Sequence, residues 1–283
     1  MKRKVKILTD STCDLSFDDI KKLDMDAIPL YVQFGDETFL DGINIDPKSL
    51  YDKVEDLQMM PKTAAPSPGD FIKFFQTYID QDYDIVYMGI GSTLSATYQS
   101  ATVAKMEFDD DRIFLIDSKN LSSGIALLAL KANDLKKQDL SAKDIKAHID
   151  LLVPKVRSQF AIQTLDYLHK GGRASGTQAL LGSMLRIKPI IKVTDGKLDV
   201  YKKAFGKMSR ALDIMLDDYF KEGDQIDQDY VFITHSMADK HAVYMKEKVN
   251  ETLKPKSLFE GHAGCVISSH CGAGTIGILY LLK

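Results

Sequence analysis

No short motif in this chain assigns it to a common catalytic class. It has no GxxxxGK[ST] phosphate loop, no HExxH and no GxSxG. The P-loop phosphate cradle, a helical zinc pair and a strained serine elbow are therefore missing. Cysteine is scarce. Cys13, Cys265 and Cys271 make an odd count without zinc-ribbon spacing, which argues for reduced, partly buried thiols and against a disulfide framework or a metal site. There is no basic excess: 37 Lys and Arg stand against 40 Asp and Glu, which excludes nucleic acid as the main ligand. Long apolar runs are also lacking. The basic start is followed by too short an apolar run before Thr9 and Asp10 to form a signal-peptide core. The apolar stretch Thr275 to Leu282 is too short to span a bilayer. The expectation is a cytoplasmic protein with no stable membrane insertion.

What the 283 residues do contain is room for a large core and a natural division into two domains, 1–153 and 154–283, with Pro154 at the reset. The first half alternates strand and helix signals. Val5–Leu8 reads as a strand, and Ser16 caps a helix through Lys22. Ala27–Phe34 reads as one strand, turning at Gly35-Asp36 into Thr38–Leu40. Pro47–Leu57 is a helix, and the Pro-rich connector MMPKTAAPSPGD leads to a helix over Asp70–Ile79. Strands at Ile85–Met88 and Ile113–Ile116 flank a further helix, and helices Leu121–Lys136 and Ala142–Leu152 close the half. This order implies a mostly parallel sheet with helices on both faces. The second half reads as a strand near Lys155–Ile162, a helix ending at Gly171-Gly172, and a helix over Ser175–Leu185. The segments Arg186–Val193 and Lys197–Phe205 flank Asp195-Gly196, a hairpin signal. A helix over Lys207–Phe220, a strand Tyr230–Thr234, a helix Asp239–Leu253 and two short strands around Ser268–Gly274 complete a mixed or antiparallel sheet with helices. The fold class is α/β throughout.

The stretch with most chemical content is GIGSTLSATYQSA, Gly89 to Ala101, directly after the apolar run Ile85–Met88. A strand, a Gly/Ser/Thr loop and a helix place N–H groups and hydroxyls at the positive end of a helix, where an anion is favoured. The loop has no Lys, Arg, Asp or Glu, so its donors are neutral and suit one carboxylate better than a triphosphate. The plainer reading is that Ser92 and Thr93 cap the helix. Thr9–Thr12 lies past the carboxyl end of the first strand, where open α/β sheets bind ligands; Asp10 there reads as a loop organiser rather than a base. Thr63 by itself is an ordinary loop hydroxyl. His270 precedes Gly272-Ala273-Gly274, whose glycines permit close approach, and a loop imidazole titrates near neutral pH; the alternative is a histidine bonded to backbone. Arg173 after Gly171-Gly172 serves either anion pairing or helix termination. Lys202, Lys203, Lys207 and Arg210 form either a solvated basic face or a dock for an acidic partner.

Six segments in register, ILTDSTCDLS, PKTAAPSPGDF, GIGSTLSATYQSA, LDYLHKGGRAS, LRIKPII and GHAGCVISSHCGAGTIGI, resemble the DegV family of bacterial fatty-acid-binding proteins. The resemblance runs from about Ile7 to Gly277. It implies a two-domain DegV-type fold, with a long-chain fatty acid such as palmitate in a buried tunnel between and within the domains. It implies that Thr63 and Ser95 hold the carboxylate and that His270 lies beside it. Ser11, Gly91, Ser92 and Arg173 are further candidates around the head group. Some members are the acyl-carrying subunit of an ATP-dependent fatty acid kinase. The resemblance therefore implies a kinase partner, with no catalytic residue and no cofactor in this chain. Two departures stand out: Thr93 and Ala96 replace frequent glycines, and KKAFGKMSRA lacks an arginine where relatives often carry one, leaving Lys203 or Lys207 to dock a partner. A rival from another class is a small-metabolite enzyme related to the dihydroxyacetone kinases, with His270 holding a small ketone. A third reading is a lipid sensor acting through another protein.

Overall fold

Local signals set most element boundaries in the computed structural model, which describes residues 3–173 and 187–283. In the first half the order is β1 (Lys4–Asp10), α1 (Phe17–Lys22), β2 (Met25–Ile28), β3 (Tyr31–Phe34), β4 (Glu37–Leu40), α2 (Pro47–Leu57) and β5 (Lys62–Ala64). It continues with α3 (Pro68–Ile79), β6 (Tyr83–Gly89), α4 (Thr97–Lys105), β7 (Ile113–Asp117), α5 (Ser123–Lys137) and α6 (Ala142–Leu152). The second half comprises β8 (Val156–Ala161), α7 (Asp166–Lys170), β9 (Ile187–Thr194), β10 (Lys197–Phe205), α8 (Met208–Glu222) and β11 (Ile226–Ser236). It ends with α9 (Asp239–Thr252), β12 (Ser257–His262), α10 (Cys265–Cys271) and β13 (Thr275–Leu282). Ser16, Asp46, Ser67 and Ser141 each accept the N–H three residues on, and Pro47 and Pro68 begin their helices. These are local devices that satisfy the otherwise orphaned first-turn donors. Asp195 and Gly196 both adopt positive φ (47° and 79°), the two-residue turn that joins β9 to β10 without splaying them.

Three sheets result. A parallel sheet runs β2-β1-β6-β7. A six-stranded sheet runs β10-β9-β8-β13-β11-β12 and is antiparallel except for the β11–β12 pair. A small antiparallel sheet runs β4-β3-β5. Strands before residue 153 build the first and third; strands after it build the second. The apolar core does not respect that division. Helix α5 is buried continuously from Ser123 to Leu130, as befits a helix with apolar neighbours on all sides. One cluster joins Ile7, Val86 and Leu127 to Phe232 and Leu279. Among the described residues no helix is long and apolar enough to cross a membrane.

Three expectations are corrected. Ala27–Phe34 is not one strand: Pro29 follows Ile28, cannot donate to a ladder, and the chain leaves the parallel sheet there to start β3 in another sheet. The Pro-rich connector contains strand β5, which pairs Thr63 with Val32. Two strands, β12 and β13, do flank Ser268–Gly274, but the stretch between them, expected as a loop, holds helix Cys265–Cys271. The expected helix Ser175–Leu185 and residue Arg186 lie outside the described residues.

Candidate functional site

A cavity of about 240 Å³ lies where elements from both halves meet. Its walls are mainly carbon, from Leu30, Ile90, Leu94, Phe160, Val266 and Leu279 among others. An apolar cavity of about 150 Å³ already takes up benzene, so this one has room for hydrocarbon. Thr63, Ser95, Arg173 and His270 also line it. The structure thus brings together around one cavity residues separated by as many as two hundred and seven positions.

Each is placed by a different device. Thr63 is half-buried on β5, held by the ladder to β3, and its Oγ1 lies 2.9 Å from His270 Nε2. His270 sits in the last turn of α10 rather than in a loop. Gly171 after α7 allows this close packing, because a side chain there would collide with the imidazole. Burial, and then the Arg173 charge, lowers the His270 pKa to about 4. The expected titration near neutral pH is therefore corrected: at pH 7 the ring is neutral. Its Nδ1 is buried with no hydrogen-bond partner among the described residues.

The hydroxyl loop works differently from the expectation. The N–H groups of Leu94 and Ser95 both donate to Gly91 O, that of Gly91 to Asn120 O, and that of Ile90 to Asp10. These main-chain donors are spent within the protein. Ser92 does not cap α4; its N–H and Oγ both bond the Asp117 carboxylate, at 3.1 and 2.6 Å. Thr93 donates to Gly196 O in the β9–β10 turn. Helix α4 starts only at Thr97, behind an Ala96 that offers no side-chain cap. Ser95 Oγ accepts the Thr97 N–H and lies 2.8 Å from Thr97 Oγ1. Of the three loop hydroxyls, Ser92 and Thr93 are engaged by Asp117 and Gly196, and Ser95 is the one that lines the cavity.

Two of the remaining candidates stand off the cavity. Ser11 is buried, accepting from Leu30 N and donating to Asp41, and Gly91 backs onto the main chain of Lys119 and Asn120. Ser92 lines a second, polar cleft of about 510 Å³ with Thr93, Gln99 and Lys197. Leu94, Ser95, Ala96, Arg173 and Leu198 line both spaces, so they form the partition between a carbon-lined cavity and a polar one, with Ser95 and Arg173 as its polar members. The Arg173 guanidinium donates to the carbonyls of Gly171 (2.7 Å) and Leu94 (3.3 Å). Asp10 accepts from Thr12, Tyr87 and Ile90, the organising role read from its position. Lys203 and Lys207 are exposed on β10 and at the start of α8, whereas Lys202 is clasped by Asp218 at 2.8 Å.

Burial disfavours the thiolate at all three cysteines. Cys13, Cys265 and Cys271 are free and buried, and burial pushes the Cys271 thiol up to about 12. His235, Glu260 and His262 place ligand atoms within 4.8 Å of one another. However, His235 Nδ1 accepts the Ala238 N–H, so the ring proton sits on Nε2, aimed at Glu260. A metal would need that lone pair. Glu260 is further held by Lys246, and His262 meets the His235 ring edge-on, 4.8 Å between centroids. The features that sequence reasoning missed are the cavity-lining hydroxyl residues Ser122, Thr234 and Ser236 and the apolar lining; these converge only through tertiary assembly and leave no local signal.

A parallel α/β layer and a mixed-sheet layer, meeting at a carbon-lined cavity with a few polar side chains on its wall, define a class of two-layered α/β proteins with an internal apolar space. The chain belongs to the DegV family: the family model described as "Uncharacterised protein, DegV family" matches residues 4–283. A DegV domain-containing protein of Clostridium perfringens is 33% identical over 288 aligned positions, covering 98% of each chain. A protein of Thermotoga maritima named fatty acid-binding protein is 29% identical, covering 97% of this chain and 96% of that one. The solved structure of a DegV family protein from Thermus thermophilus, described by its fatty acid binding, superposes with a TM-score of 0.93 at 27% identity. It covers 99% of this chain and 100% of that one.

Proposed function

We propose that this protein binds a long-chain fatty acid such as palmitate, with the acyl tail in the carbon-lined cavity and the carboxylate held by Ser95 and Thr63. The observation that carries the reading is the meeting of Ser95, Thr63 and a neutral His270 on the wall of one apolar space. The fatty acid binding named for the Thermotoga and Thermus relatives supports it. With the ring proton on Nε2, His270 donates to Thr63 Oγ1 and leaves the Thr63 hydroxyl proton free for a carboxylate. The fatty acid is already ionised at pH 7, so no base is needed.

Magnitudes divide the labour. Burying about fourteen methylenes contributes at most about 11 kcal/mol, before ordering costs. Each hydrogen bond to the carboxylate adds about 1.5–3 kcal/mol. The tail sets affinity and the head sets register. The chain itself carries no catalysis in this reading. It presents the carboxylate to an ATP-dependent kinase subunit, for which the family resemblance and the exposed Lys203 and Lys207 are the support. Positioning of the attacking oxygen is what such a transfer demands. The carbon-lined cavity counts against the small-ketone rival. Solvent extraction and mass spectrometry of protein purified from a bacterial host should yield long-chain fatty acid. A lipid-free product with no uptake of added palmitate overturns the reading, and turnover of a small ketone would replace it.

A further inference from the structure

Two buried carboxylates grip the far end of the helix that carries His270. Helix α10 begins behind Gly264, which has no side chain to cap it. Its first donors go instead to residues more than two hundred positions away. Gly264 N donates to Asp14 Oδ1 at 2.9 Å, and Cys265 N donates to Asp41 Oδ1 at 2.6 Å. The Val266 N–H also turns toward Asp41. The second oxygen of each carboxylate is fixed in turn: Ser11 Oγ donates to Asp41 Oδ2 at 2.8 Å, and Ser122 donates to Asp14 Oδ2. Asp41 is 1% exposed and Asp14 8%. The fit is tight, since a methyl at Gly264 would lie 3.0 Å from Asp41 and 3.3 Å from Asp14.

We infer that Asp14 and Asp41 are positioning residues for the head-group site: by clamping the start of α10 they set where His270, one short helix away, meets Thr63. The inference rests on the fatty-acid reading above and deepens it. A seven-residue helix spans about 10 Å and moves as a rod. Val266, Ile267, His270 and Cys271 all face the cavity from this rod, so any slip at its first turn displaces the wall and the imidazole together. Negative groups at the amino end of a helix are also electrostatically favourable. Ser11, a candidate that stands off the cavity, thereby acts through Asp41.

The test compares two ligands with one tail, palmitate and methyl palmitate, on the full chain. Asp41→Ala and Asp14→Ala should each lower the preference for the acid over the ester by about tenfold, the scale of one charged hydrogen bond, while ester affinity changes far less. Asp41→Asn keeps an acceptor for Cys265 N and should restore most of the preference. The His270 ring resonances should titrate upward from about 4 toward the ordinary histidine value in Asp41→Ala. Equal losses for acid and ester, or no change in either, overturn the inference. If the wild type binds neither lipid, the fatty-acid reading falls. The His270 titration then decides this inference alone: a shifted midpoint upholds it and an unshifted one refutes it. Should Asp41→Ala fail to fold, Gly264→Ala presses on the same two carboxylates and is judged by the same readings.

Discussion

Asp41 shows what a buried charge does to a protein that keeps it. Burial raises its pKa from 3.8 to about 6 despite the bonds from Ser11, Cys265 and Val266. The folded state therefore holds the proton more tightly than the unfolded state, and stability declines as pH rises from about 4 through 6. That gap corresponds to about 3 kcal/mol of cost at neutral pH. Asp41→Asn should accordingly raise the denaturation midpoint at pH 7.5 and give little gain near pH 4, as urea titrations at the two pH values would show. A group retained at such a cost is a reasonable place to look for function. Ser95 and Thr63 make a different forecast. With both changed to alanine, palmitate binding should weaken modestly, because the tail supplies most of the affinity. Acyl phosphate formation with a kinase should fall by far more. Parallel loss, measured by lipid occupancy and product yield on the same samples, would mean the hydroxyls only bind.

Elements differ in how far a sequence announces them. Helices α2, α3 and α6 were readable because Asp46-Pro47, Ser67-Pro68 and Ser141 carry their caps within three residues. The β9–β10 hairpin was readable because Asp195-Gly196 alone specifies its turn. Strand β5 and helix α10 were not. A three-residue strand exists only through its ladder to β3, and CVISSHC looks strand-like until two remote carboxylates cap it. Thr63 and His270 sit on those two elements, so the site was legible through family resemblance and not through local physics. Ser95 was legible as part of a hydroxyl-rich loop, but the loop's spent N–H groups were not. One further variant belongs at this scale. Gly171→Ala would drive a methyl into the His270 ring. It should cost about 1–3 kcal/mol in stability through overpacking, and it should reduce palmitate affinity more than methyl palmitate affinity by titration calorimetry.

At the scale of the molecule, the α/β class and the change from parallel to antiparallel pairing after Pro154 were visible in the alternation of signals. The way the halves share a core was not, because the unbroken apolar run of α5 says that the helix is buried and nothing about which sheets surround it. Since one apolar cluster spans both halves, heating should give a single transition with matching calorimetric and van't Hoff enthalpies. Two separable transitions would contradict a shared core. Saturating palmitate at about a hundredfold over its dissociation constant should then raise the midpoint of that same transition, since it adds about 2.7 kcal/mol.

The partition built around Ser95 and Arg173, with Leu94, Ala96 and Leu198, has a consequence of its own. In the proposed reading, a lipid seated against it keeps its handle at a wet doorway while its length stays out of sight. Whatever reads the handle learns nothing of the tail, so substitutions deep in the greasy wall can retune which chain is carried without disturbing the face shown to a visitor.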